Sequence, residues 1–260
     1  MTLTTAQLTS LIGAYLWPFM RIGAMLTAAP VFSARHVVPP RLRLLLTIAI
    51  TGAIAPMLPP PPAVEPLSAA GLLISLNQLV LGAAMGFILQ MVFSMLVVAG
   101  QTVSMTMGLG FATMVDPTNG VTVPVLSTFF TVLGTLLFLV MDGHLVAIQI
   151  VVESFRSMPV GTVGVSDHML MTLVLWGGRM FAGGLLLALP ALVSVLLIQI
   201  AFGVISRAAP TMNLFAVGFP VTILAGLVVL TITLPNLLPQ FTATLMNGFD
   251  LMQKLAVAGG

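Results

Sequence analysis

Few side chains in this sequence could do chemistry, and their spacing narrows the choice further. Asp142-Gly143-His144 sets an acid and a base two residues apart, a pair that could relay a proton or supply part of a metal site. No further ligands accompany it. The other two histidines, His36 and His168, lie in different segments, and no HExxH spacing occurs. The chain has no cysteine, so thiolate ligands, a cysteine nucleophile and a disulfide framework are all absent. Serines are common, but no GxSxG elbow is present, and the single lysine, Lys254, has no serine at helical spacing that would make a catalytic pair. The expectation is therefore no enzyme, no cofactor and no metal, with Asp142 and His144 marking a helix boundary at a membrane interface.

Two arginines sit inside long apolar runs. Arg21 lies about two helical turns before the end of the first run, and Arg179 lies within the fifth. An arginine at the centre of a membrane-spanning helix costs at least about 2.5–3.5 kcal/mol. Either each meets a polar partner, a cavity or another subunit, or each lies near a helix end and snorkels to the surface. A different feature is the run 105–114, Met-Thr-Met-Gly-Leu-Gly-Phe-Ala-Thr-Met, followed by Val115, Asp116 and Pro117. It is uncharged as far as Asp116, pliable at Gly108 and Gly110, and rich in methionine and phenylalanine. Such a segment suits a hydrophobic constriction that closes by excluding water. It equally suits a re-entrant connection buried in protein.

The elements that must carry these residues follow from the apolar runs. Candidate spans cover residues 8–29, 44–58, 67–103, 121–141, 169–205 and 212–234. Four prolines at 59–62 end the second, and Pro190 is expected to break the fifth. Residues 142–164, which mix charge, glycine and proline, read as an interfacial stretch plus a loop. Residues 235–260 read as an amphipathic tail. Gly82 and Gly86 form a GxxxG pair that lets helices approach closely, and Gly177-Gly178 and Gly183-Gly184 offer the same in the fifth span.

Composition fixes the class. Of 260 residues, 59% are apolar and 5% charged, against about a quarter charged in soluble domains. No Asp, Glu, Lys or Arg occurs from Pro66 to Val115 or from Ala208 to Phe249. Such stretches need lipid or packed protein around them, and helices are the natural form because each satisfies its own backbone. The fold expected is an all-α membrane protein. The eight basic residues are scattered, so no nucleic acid is expected as a partner. The first basic side chain is Arg21 and no cleavage site precedes it, so the first apolar segment is expected to be retained. With six spans, Arg35, Arg41, Arg43 and Arg207 fall on one side and Arg156 and Lys254 on the other. The positive-inside rule then puts the first loop in the cytoplasm.

The order of several short motifs points to a family. Tyr15-Leu-Trp-Pro-Phe-Met-Arg21, Ala29-Pro30, Pro39-Pro-Arg-Leu-Arg43 and Ala55-Pro56 resemble the N-terminal part of the FliR/SctT family of type III secretion export-gate subunits. So do Met107-Gly-Leu-Gly-Phe-Ala-Thr-Met-Val-Asp-Pro117, Asp142-Gly-His144 and Pro159-Val-Gly161. Ala188-Leu-Pro190, Arg207-Ala-Ala-Pro210 and Asn213-Leu-Phe-Ala-Val-Gly-Phe-Pro220 complete the series. The resemblance covers about residues 8–240 and looks flagellar rather than injectisome-like. It implies a FliP-like helical part over 1–165 and a FliQ-like helical hairpin with a tail over 166–260. It implies a bacterial inner-membrane subunit of the flagellar basal body that forms, with FliP and FliQ and alongside FlhA and FlhB, the pore for unfolded flagellar proteins. It implies that loop 105–120 plugs that pore, through Met105, Met107, Gly108, Gly110, Phe111, Met114, Asp116 and Pro117. Arg21, Asp142, His144, Arg179 and Arg207 are then expected to be buried or at subunit interfaces. A homologous injectisome subunit, a small-solute transporter with a midplane site and a scaffold without a conduit are the competing readings.

Overall fold

A computed structural model describes residues 5–33, 38–109, 124–161, 167–208 and 214–257. Among these residues all regular secondary structure is helical. The elements are α1 (Thr5–Ala28), the short α2 (Pro30–Ser33), α3 (Pro40–Ile54), α4 (Ala69–Thr106), α5 (Val125–Val140), α6 (Gly143–Ser157), α7 (Asp167–Ala208), α8 (Leu214–Thr233) and α9 (Leu237–Val257). Five of the helical stretches are long and apolar enough to cross a membrane, and α5 with α6, bent by 66° at their junction, makes a sixth if the pair counts as one span. The chain is therefore an all-α protein built for a membrane.

Most boundaries follow local chemistry. Pro40 starts α3, where a missing N–H costs nothing. A turn of 3-10 helix at Ala55–Met57 closes α3 ahead of the proline run. The Ser68 hydroxyl accepts a hydrogen bond from the Gly71 backbone N–H at 3.1 Å and caps the start of α4. Two expectations are corrected. Residues 143–157 are helix, because Ala147, Ile150, Val151 and Phe155 form a buried apolar face that Glu153 and Arg156 leave untouched. Helix α7 runs on through Pro190 without ending, and the Ser194 hydroxyl donates to the Pro190 carbonyl at 2.8 Å. The amphipathic tail folds as α9, whose Phe241, Leu245, Phe249, Met252 and Leu255 are buried.

The helices divide between two compact units, each discontinuous in sequence. The first comprises Met1–Met91, Phe138–Gly177 and Leu245–Gly260, and the second Val92–Leu137 and Gly178–Thr244. In the first, Trp17, Met25, Leu26, Ile74, Leu81, Met85 and Ile88 make the core. There α1 lies directly on α4 through Gly82 and Gly86. A Cβ at Gly82 would collide with the Arg21 carbonyl oxygen, and one at Gly86 would stand 2.5 Å from that of Met25. In the second unit, Phe93 and Phe241 meet edge to face with ring centroids 5.7 Å apart, beside buried Met95, Leu96 and Ala99.

Backbone contact at Gly82 sets a sharp expectation. Gly82→Val should lower stability in detergent by at least about 2 kcal/mol, since the α1 backbone has nowhere to move. Gly178 faces open space, so Gly178→Ala should be neutral or stabilising by up to about 1 kcal/mol through helix propensity. Thermal melts of the two purified variants against the parent check both.

Candidate functional site

Two constellations collect the polar and strained residues, one in each unit. In the first, α1 carries Trp17, Pro18 and Arg21. Trp17 donates its indole N–H to the Ser75 hydroxyl of α4 at 3.3 Å. Arg21 is fully buried. Its Nε donates to Gln78 Oε1 at 2.7 Å. One terminal nitrogen donates to the Ser154 carbonyl at 3.1 Å and the Ser154 hydroxyl at 3.0 Å, and the other to the Met158 carbonyl at 2.9 Å. The guanidinium also lies 4.1 Å from the centroid of the Phe155 ring.

No carboxylate takes part. Among the described residues, the only ion pair is the exposed Lys254–Asp250 contact on α9. Neutral oxygens and an aromatic face instead hold the buried cation, and two of those oxygens are carbonyls at the C-terminal end of α6. That end carries the negative pole of the helix, which suits a cation, and the Ser154 carbonyl accepts both the Met158 N–H and the guanidinium. The planar fork of arginine reaches α4 and α6 at once, which a lysine ammonium cannot do.

Asp142 separates α5 from α6 in the left-handed conformation, with φ at 54°. Aspartate tolerates that region better than most residues. Its carbonyl accepts the N–H groups of Leu145 and Val146 and starts α6. Gly143 must follow, because a Cβ there would stand 2.6 Å from the Phe138 ring. His144 is half-buried, and its Nδ1 has no hydrogen-bond partner among the described residues. Among those residues no three metal-ligating side chains converge. Asp142 shapes the helix junction, and of the described polar residues singled out from sequence only Arg21 is fully buried. Asp142, Arg179 and Arg207 are exposed.

In the second unit the constellation surrounds the end of α4. Met107 is fully buried, and Gly108 has φ at +84°, a conformation that favours glycine. The Met107 and Leu109 N–H groups bond back to Val103 and Ser104. Gln199 of α7 donates to the Thr106 carbonyl at 3.0 Å, and Thr222 of α8 to the Met107 carbonyl at 3.4 Å. Gly226 leaves room for the Met107 side chain, and the Phe219 ring lies against Gly108. Met105 is exposed at the rim of a hollow of about 410 Å³ that Gln199, Phe202, Phe219 and Thr222 help to line. Gly110, Phe111, Met114, Asp116 and Pro117 lie outside the described residues. The roles of Ser75, Gln78, Ser154, Gln199 and Thr222 escape a sequence reading. For all but Ser154, which stands between Glu153 and Arg156, the one visible signal is a polar side chain in a mostly apolar run.

If Arg21 locks three helices, its loss should be costly. Arg21→Met should destabilise the solubilised protein by about 2–4 kcal/mol, because it strands the Gln78 Oε1 and the Met158 carbonyl in the core and removes one donor from the Ser154 carbonyl. Arg21→Lys should fall between. Equal melting temperatures for both variants and the parent would contradict this assignment.

The comparisons with known proteins agree with the architecture. The family model described as bacterial export proteins, family 1, matches residues 12–248. The flagellar biosynthetic protein FliR of Pectobacterium carotovorum is 36% identical, over 98% of this chain and 97% of its own length. That of Escherichia coli is also 36% identical, over 97% and 96%. That of Aquifex aeolicus is 31% identical, over 89% and 88%. With the match running from α1 into α9 and through both constellations, the chain belongs to the bacterial export proteins of family 1.

Proposed function

We propose that this chain is a subunit of the flagellar type III secretion export gate, and that with FliP-like and FliQ-like subunits it forms the pore for unfolded flagellar proteins. The observation that carries the reading is the near full-length similarity to flagellar biosynthetic proteins FliR. The same similarity favours the flagellar over the injectisome assignment. On this reading the chain resides in the bacterial inner membrane at the flagellar basal body, near FlhA and FlhB, and has no catalytic role.

Surface chemistry supports an assembly. In an apolar 18-residue window of the span Met169–Arg207 only 17% of the residues are buried, against 67% in such a window of Ala69–Thr106. Val174, Phe181, Leu186, Leu197 and Ile200 of α7 are exposed, and so is Arg179 among them. Lipid could cover the apolar side chains but not the arginine at low cost. Neighbouring subunits with acceptor groups would cover both. The division into a FliP-like part, 1–165, and a FliQ-like hairpin with a tail, 166–260, belongs to this proposal. So does a plug formed by loop 105–120. The firm seating of Met107 and Gly108 supports the plug, because a constriction needs an anchored base.

Two experiments follow. Co-expression with the FliP-like and FliQ-like neighbours should yield one detergent-stable complex containing all three; a monodisperse monomer that ignores both would overturn the proposal. Deleting residues 108–114 in that complex should make membranes leak small solutes while the assembly persists. Unchanged permeability would argue for a scaffold without a conduit.

A further inference from the structure

A groove in the first unit runs between α1, α3 and α4, with a volume of about 720 Å³. This lies within the roughly 300–1,000 Å³ of ligand clefts. Phe19, Ala24, Leu44, Leu79 and Ala83 line its length. At one end stand Ala28 of α1 and Pro40 and Arg43 of α3; at the other, Phe19 and Leu79. The polarity therefore changes along the groove, from a guanidinium to purely apolar side chains. From Phe19 to Ala28 the helix rises about 14 Å, close to half of the roughly 30 Å hydrocarbon core and so to one leaflet.

The charged end suits an anion. Arg43 spends its Nε on the Phe32 carbonyl, at 3.0 Å. Its terminal nitrogens make no hydrogen bond to a described residue. Arg41, exposed, shares the first turn of α3. That turn has no side-chain cap, so its backbone N–H groups add the positive pole of a helix. Among the described residues no carboxylate pairs with Arg41 or Arg43, and none lines the groove. The charge bias of the loops assigns this end to the cytoplasmic face, where anionic lipids gather at basic pockets between helices.

We propose that this groove binds an anionic phospholipid, with its phosphate at Arg43 and the α3 N-terminus and one acyl chain laid along α1 towards Phe19. The inference does not depend on the export reading. It rests on the match of groove length to one leaflet and of charge to headgroup.

The test is native mass spectrometry of the full-length protein in detergent. It is titrated with phosphatidylglycerol, with phosphatidylcholine of the same acyl chains, and with glycerol 3-phosphate. Phosphatidylglycerol should bind at least tenfold more tightly than phosphatidylcholine, and glycerol 3-phosphate should not bind. Arg41 makes no side-chain hydrogen bond to a described residue, so Arg41→Gln should weaken phosphatidylglycerol about fivefold; Arg43→Gln should weaken it at least as much, with Arg43→Lys restoring most of it. Ala83→Phe fills the groove from an exposed position and should abolish the preference while the protein stays monodisperse. Equal binding of the two lipids would overturn the proposal. So would binding of glycerol 3-phosphate as strong as that of the lipid, indifference to Ala83→Phe, or loss of the lipid when partner subunits assemble, which would assign the groove to a protein helix.

Discussion

A single buried cation organises the first unit. Arg21 stands in an apolar helix with no carboxylate beside it, yet it is fully enclosed. In a hydrocarbon setting an arginine survives only where oxygens replace its water. Those oxygens come from Gln78 on α4 and from the end of α6. The requirement works in both directions. The Met158 carbonyl that follows α6 takes its donor from Arg21, and the guanidinium needs acceptors, so each fixes the place of the other. Because Gly82 brings the α1 backbone against α4 at the same level, the fork is held where it can reach both helices. Packing among Leu, Ile and Met side chains would tolerate slippage along the helix axes. Directional bonds from α1 to two other helices would not.

The second unit solves a different problem: how to end a long apolar helix without exposing its last carbonyls. Gln199 and Thr222 supply donors to Thr106 and Met107, and Gly108 turns the chain through a left-handed conformation. The helix end is thereby seated on α7 and α8 within that unit. Elsewhere α7 leaves large apolar side chains and Arg179 uncovered. A chain whose surface is this poorly matched to water is finished only by its surroundings.

Much of this was legible in the sequence. The spans were, because apolar runs of membrane length have few alternatives. So was the close approach at Gly82 and Gly86, because the spacing puts both glycines on one helix face. Helix α6 was not. Its charges, Glu153 and Arg156, sit off its buried stripe, and in so short a segment they read as loop. Pro190 misled for a related reason: one lost hydrogen bond does not end a helix this long, and α7 absorbs it. Arg21 was legible as an anomaly but not as a lock, since its acceptors lie 57, 133 and 137 positions away. Nothing local announces Ser154 or Met158 as its partners. The family resemblance rested on motifs in order, and the match over residues 12–248 has nearly the same extent.

The proposed function requires that loop 105–120 meet exported chains. The absence of native cysteine makes a direct measurement clean. A single cysteine would replace Phe111, and a flagellar substrate with one cysteine in its unfolded region would be stalled by a folded domain at its C-terminus. The account predicts a disulfide adduct under mild oxidation from position 111 and none from position 174 on the exposed side of α7. Adducts from 174 alone, or from neither position while the substrate is demonstrably stalled, would contradict it.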